Sequence, residues 1–148
     1  LHDALPIYIY NTHLDHESEL AREEGIKIIL KEVKKIYKIY KTPYIIMGDF
    51  NCYLEDNLFN IIREEETNNT CFNVCYDNIK NNILGTFHYF KGGYDGRIID
   101  YILYSKEYEI KSLNIDDRKI NGGYPSDHYP VICELELKYQ YIGSMLSY

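Results

Sequence analysis

The stretch YIIMGDFN at residues 44–51 is a short apolar run that ends on a polar cluster. The run is typical of a buried β-strand, which places Asp49 and Asn51 at the end of that strand. Backbone alternation would put both side chains on one side and turn Phe50 into the core. A second stretch, SDHYPVIC at residues 126–133, has the reverse order, with the polar cluster first and an apolar run after it.

Two further apolar runs carry polar residues. IYIYNTHL at residues 7–14 leads into Asn11 and His13, and IIDYIL at residues 98–103 holds Asp100 in its interior. Rigid strands that bring hard oxygen ligands and imidazoles to one place are how a metal-assisted hydrolytic site is built. The sequence therefore predicts a site of this kind.

Composition narrows the class of protein. The chain has 148 residues, 45% of them hydrophobic, and a formal charge of −7, which fits one domain or a piece of one. A protein held on nucleic acid by phosphate contacts alone would be strongly basic, so the charge does not favour nucleic acid as the partner. No apolar run approaches the ~20 residues of a membrane span. With no visible signal peptide, we expect a soluble protein and favour the cytoplasm.

Periodicity predicts the helices. Apolar residues that recur at three and four from Ile26 to Tyr40 predict an amphipathic helix over residues 19–40, ended by Thr42-Pro43. A shorter helix is predicted over residues 58–65, with Asp56 or Asn57 as its cap.

Strands are predicted on both sides of a weakly patterned loop. The first covers residues 7–10, with a loop from Asn11 to Ser18, and a short one lies around residues 72–76. Residues 98–104 and 108–115 look like a pair joined at Ser105-Lys106-Glu107. In the last strand, Val131, Cys133, Leu135 and Leu137 alternate with Ile132, Glu134, Glu136 and Lys138, so one face is buried.

Taken together, the clusters NTHL (11–14), GDFN (48–51), IDYI (99–102) and SDHYPV (126–131) resemble the endonuclease/exonuclease/phosphatase superfamily, in the family's order. The strings NTHLDH, TFH and YPSDHYPV look most like its stand-alone bacterial hydrolases. The resemblance implies an α+β fold, the four-layer αββα sandwich of the DNase I type. It covers the C-terminal half or somewhat more, so we expect an N-terminally truncated domain over residues 7–138. Residues 1–6 would be a non-native or disordered start, and residues 139–148 a tail.

The chemistry of the clusters and the resemblance together assign roles. Asp127 is a hard donor for Mg²⁺ or Mn²⁺, with Asp49 and Asn51 as further candidate ligands. His128 could exchange a proton with water, and the resemblance makes Asp100 the carboxylate that orients it. Asp49 could orient the attacking water, and Asn51 could hold a phosphate oxygen. His13 could contact the scissile phosphate or protonate the leaving group.

Plainer structural roles stay open. Asp49 and Asn51 could form a turn that satisfies only its own backbone, and Asp100 could pair with Arg97. Asn11, His16 and His88 are candidate substrate contacts.

The sequence thus predicts a divalent-metal-dependent hydrolase of phosphate esters, either a phosphodiesterase or a phosphomonoesterase, that uses an activated water. The alternatives are a catalytically inactive binding module on the same fold and a nuclease. The partner would be a phosphate ester of unknown identity, and the full-length protein a monomer. The chain alone, without the first half of the fold, would be inactive.

Overall fold

The computed structural model describes residues 6–67, 69–77, 84–93 and 97–138. Its elements along the chain are β1 (Tyr8–His13), α1 (Glu19–Tyr40), β2 (Tyr44–Asp49), α2 (Asn57–Glu64), β3 (Asn73–Val74), β4 (Asp100–Tyr104), β5 (Tyr108–Ile115) and β6 (Val131–Leu137). Of the predicted start, only Pro6 is described, and the predicted tail lies outside the described residues. Within the described part of the chain, no helix is both long and apolar enough to cross a membrane.

The described strands form two sheets. The larger has the order β1-β2-β4-β3, in which β1 and β2 are parallel and the other pairs are antiparallel. The smaller pairs β5 with β6 in antiparallel fashion. Two sheets with two helices give the α+β class that the sequence predicts.

Helix α1 has the predicted bounds because its local signals agree. Ser18 accepts a hydrogen bond from the Ala21 N–H, which satisfies a free donor of the first turn. At the other end, Lys41 adopts a left-handed conformation, and its N–H returns to the Tyr37 carbonyl. The apolar stripe Ile26, Leu30, Val33 and Tyr37 is buried in the core. Helix α1 therefore packs against the core of the larger sheet, where Tyr37 meets Tyr44 of β2 edge to face.

The predicted pairing of residues 98–104 with 108–115 is wrong. Strand β4 pairs with β2 and β3, so neither of its edges is available to β5. The three residues between β4 and β5 instead carry the chain from one sheet to the other. They are anchored there, since the Ser105 N–H donates to the Tyr44 carbonyl and the buried Glu107 accepts from the Tyr37 hydroxyl at 2.5 Å.

Strand boundaries also differ from the prediction near the polar clusters. The predicted loop at Asn11 begins later, because β1 and β2 stay paired as far as His13 and Asp49. Asp100 is the first residue of β4 and not an interior one. In the register, Asp49 lies opposite both His13 and Asp100. The sheet therefore sets three candidate site residues in one row at its end.

Candidate active site

The row at the end of the larger sheet is the base of the site. Asp49 Oδ2 lies 3.4 Å from His13 Nε2, with Asp49 15% exposed and His13 73% exposed. The carboxyl ends of the parallel strands β1 and β2 meet there with the first residue of the antiparallel β4. Asp49 thus forms the floor of the site, and His13 stands at its mouth.

His128 reaches this row from the segment before β6. Its Nδ1 lies 2.8 Å from Asp100 Oδ2, within hydrogen-bond distance as expected, and its Nε2 lies 3.8 Å from Asp49 Oδ2. Because a carboxylate can only accept, the Nδ1 proton is donated to Asp100. The neutral ring then presents the lone pair of Nε2 on the side of Asp49. Arg97 forms no ion pair with Asp100 among the described residues, so the alternative pairing does not occur.

Hydrogen bonds of residues 86–88 link the start of β4 to the segment that carries His128. The buried Thr86 Oγ1 accepts hydrogen bonds from the Ile99 and Asp100 N–H groups, at 3.1 and 3.2 Å. The Thr86 carbonyl accepts from the Tyr129 N–H at 2.7 Å, and the His88 N–H donates to the Asp127 carbonyl at 2.8 Å. Thr86 belongs to the string TFH, but no sequence pattern pointed to a role for its hydroxyl. Thr86 positions the backbone on both sides of the Asp100–His128 contact.

Asp49 and Asn51 form the backbone turn that was the structural alternative to a catalytic role. The Asn51 N–H donates to Asp49 Oδ1 at 2.8 Å, Asn51 has φ 49°, and its Nδ2 donates to the Leu14 carbonyl at 2.9 Å. Phe50 is fully buried, as predicted. The turn uses only one oxygen of Asp49, so Oδ2 stays directed at the two histidines. It therefore orients the carboxylate as well as satisfying the backbone.

Burial raises the pKa of Asp49 above its ordinary value, and the nearby charge of Asp100 adds to the rise. The Asn51 N–H and the two histidines act in the opposite direction but do not cancel it. Two carboxylates held this close favour the binding of a proton or a cation.

Asp49→Asn is expected to stabilise the metal-free protein at neutral pH by about 1 kcal/mol, because it removes a charge that folding desolvates. The raised pKa of Asp49 means that folding favours its protonated form. The loss of stability caused by the Asp49 charge is therefore absent below the ordinary pKa of 3.8. It develops as the pH rises from that value through the pKa of the folded state. Urea unfolding in EDTA at several pH values measures this. A gain that is largest at low pH would contradict it.

The remaining predicted residues lie around this row. Asn11 shares a shallow cleft with Gly48 and Asp100. His16 and His88 line a larger cleft of about 740 Å³, together with Asn51 and Phe87. Asp127 adjoins His128 in sequence, and its backbone carbonyl is bound by His88.

A metal ion fits part of this site. Among the described residues, ligand atoms of Asp49, Asp100 and His128 all lie within 4.8 Å of one another. The donors include two carboxylates, the ligand type that Mg²⁺ and Mn²⁺ prefer. The carboxylate of Asp127, the expected principal ligand, is not in this group.

Comparison with known proteins gives a family match. A family model described as "Endonuclease/Exonuclease/phosphatase family" matches residues 3–128. A protein of Vairimorpha ceranae (strain BRL01), named "Probable CCR4-Not complex 3'-5'-exoribonuclease subunit Ccr4", is 28% identical over 89% of this chain and 32% of its own length.

Solved structures show the same fold. A functionally unknown conserved protein from Enterococcus faecalis V583 has a TM-score of 0.75 at 28% identity, over 93% of this chain and 52% of that one. The mannosyl-6-phosphatase Bt3783 of Bacteroides thetaiotaomicron has a TM-score of 0.73 at 24% identity, over 87% and 51%. The chain thus spans about half the length of these two structures and a third of the curated relative.

Proposed function

Because the chain belongs to the endonuclease/exonuclease/phosphatase family, whose members are hydrolases of the DNase I-like αββα sandwich fold, we propose that it carries the acid–base half of a divalent-metal-dependent phosphate-ester hydrolase. The observation that carries the proposal is the hydrogen bond of 2.8 Å between Asp100 and His128, with Asp49 facing the other ring nitrogen. A carboxylate, an imidazole and a second carboxylate in this order suit the removal of a proton from water.

His128 accepts the proton of the attacking water in this proposal. With Nδ1–H held by Asp100, the only free lone pair of the ring is on Nε2. Asp49 Oδ2 is 3.8 Å from that nitrogen, close enough for one water molecule to contact both groups. Asp49 would orient the water and Nε2 would take its proton as oxygen attacks phosphorus.

The oxygen of the leaving group must gain a proton when its bond to phosphorus breaks. His13 stands at the exposed mouth of the site, with Nε2 3.4 Å from Asp49 Oδ2, and its protonated ring can donate. Asn51 keeps one amide hydrogen free after its bond to the Leu14 carbonyl, so it can hold a non-bridging phosphate oxygen. The products are an alcohol and a phosphate, and the protons on His128 and His13 exchange with solvent between turnovers.

Asp49 is the carboxylate that would hold a divalent cation, since Asp100 is engaged with His128. Asp127 and Asn51, the other ligands expected from the sequence, are not part of this group of three. When bound, Mg²⁺ or Mn²⁺ supplies charge neutralisation for the phosphoryl oxygens.

A substrate panel tests the proposal. The intact protein is assayed on a hexose monophosphate, an aryl phosphodiester, phospholipid vesicles and a short RNA, each with MgCl₂, MnCl₂ or EDTA. We expect hydrolysis of at least one ester that stops in EDTA and returns when the cation is added back. Binding without turnover would support the inactive binding module, and hydrolysis that EDTA leaves unchanged would contradict metal dependence.

A further inference from the structure

The larger cleft beside the Asp49–Asp100–His128 group has an unusual lining. Its described walls carry two cations, Lys91 and Arg97, and two imidazoles, His16 and His88, but no carboxylate. The whole chain has a formal charge of −7, so this lining departs from the composition of the protein. The cleft adjoins the reaction site through Phe87, whose ring centroid lies 4.8 Å from that of His128.

No described carboxylate neutralises either cation of the cleft. Within the described ranges, neither Lys91 nor Arg97 forms an ion pair with a carboxylate. The Arg97 guanidinium lies 4.5 Å from the centre of the Tyr53 ring, over its face. Such packing orients a guanidinium without using its N–H donors. Arg97 therefore packs against Tyr53 while none of its N–H groups binds a carboxylate of the described residues.

His88 adds a buried donor. The side chain is 5% exposed, its ring stacks on Tyr129 at a centroid distance of 3.9 Å, and its Nδ1 accepts from the Gly92 N–H at 3.3 Å. In the neutral ring the proton is then on Nε2. Nε2 is buried and has no partner among the described residues, an arrangement that costs free energy unless an acceptor arrives.

From these observations we infer that the cleft binds a second phosphate group of the substrate, so that the preferred substrates are small esters with two phosphates. This inference rests on the proposed function, since the scissile phosphate would occupy the neighbouring site. Arg97 and Lys91 provide the charge, and His88, whose Nε2 has no acceptor among the described residues, lines the same cleft. A guanidinium and a phosphate form paired, charge-assisted hydrogen bonds, which are stronger than neutral ones.

The test compares a hexose bisphosphate with the matching hexose monophosphate. The measured quantity is the ratio of the two kcat/KM values in the intact protein, for wild type, Arg97→Gln and the double variant with Lys91→Gln. Both residues are exposed, so the substitutions should not disturb folding. We expect the ratio to fall about tenfold for Arg97→Gln, the loss of one charge-assisted contact, and further in the double variant. Lys31→Gln, an exposed lysine of α1 outside the cleft, is the matched control and should leave the ratio unchanged.

Calorimetry separates this inference from the proposed function. The proposed function fails if wild type hydrolyses no ester of the panel, whereas titration with the hexose bisphosphate in EDTA reports the cleft whether or not any ester is hydrolysed. Tighter binding by wild type than by the double variant would then support the second phosphate site. The inferred second phosphate site would be overturned if the substitutions left both the kcat/KM ratio and the affinity unchanged. Equal losses on both esters would also overturn it, because Arg97 would then act on the scissile phosphate.

Discussion

Asp100→Asn is expected to lower the turnover of the intact protein by up to about 10⁴-fold, the scale of defects that disorient a catalytic imidazole. In the structure Asp100 Oδ2 holds the Nδ1 proton of His128 at 2.8 Å. An asparagine can present an N–H at the same place, which would move the proton to Nε2 and remove the base. Asp100 would act through His128 as a positioning residue.

The readout must separate positioning from a structural role. We expect the variant to keep its unfolding midpoint and its affinity for Mn²⁺ within a few fold, while the acidic limb of its pH–rate profile, which reports the protonation of the base, changes shape. Asp100→Glu, which keeps the carboxylate, should recover part of the activity. Wild-type turnover in Asp100→Asn would mean that Asp100 only supports the backbone at the start of β4.

Gly48→Ala should destabilise the fold by at least about 3 kcal/mol, the largest effect on stability that we expect. Gly48 has φ 141°, a conformation that side chains rarely adopt. An added Cβ would lie 1.8 Å from the Thr12 carbonyl oxygen. That oxygen belongs to the neighbouring strand of a paired ladder, so it cannot move without separating β1 from β2.

Gly123→Ala is the matched control, because its added Cβ meets nothing within 4 Å and its backbone is not in the left-handed region. It should change the free energy of unfolding by less than about 0.5 kcal/mol. Urea unfolding of both variants measures the difference. Equal midpoints would show that β1 and β2 tolerate a wider separation than this register allows.

Local signals were enough to predict the parts of the fold that depend on nearby residues. Helix α1 has a capping serine, an apolar stripe and a proline after its end, and these agree with one another, so its bounds were predictable. The clusters at residues 48–51 and 126–128 were visible because short polar segments interrupt apolar runs. Their convergence was expected only from the resemblance, and in the structure His128 Nε2 lies 3.8 Å from Asp49 Oδ2.

Strand pairing and contacts between residues far apart in the sequence were harder to predict. Whether β4 pairs with β5 or with β2 is decided by competition among strand edges, which the chain order does not reveal. The role of Thr86 depends on the partners of two N–H groups more than ten residues away. The buried state of His88 depends on its stacking against Tyr129, which lies far along the chain.

The central claim is that the group at the end of the larger sheet is a hydrolytic site, and His128→Gln tests it most directly. Turnover of the best ester from the panel is compared for wild type, His128→Gln and the surface control Lys31→Gln, at equal unfolding midpoints. We expect His128→Gln to lower turnover by at least about 10²-fold, the lower end of what general acid–base catalysis contributes, while the control keeps wild-type activity. A folded His128→Gln variant with turnover close to that of wild type would contradict the account.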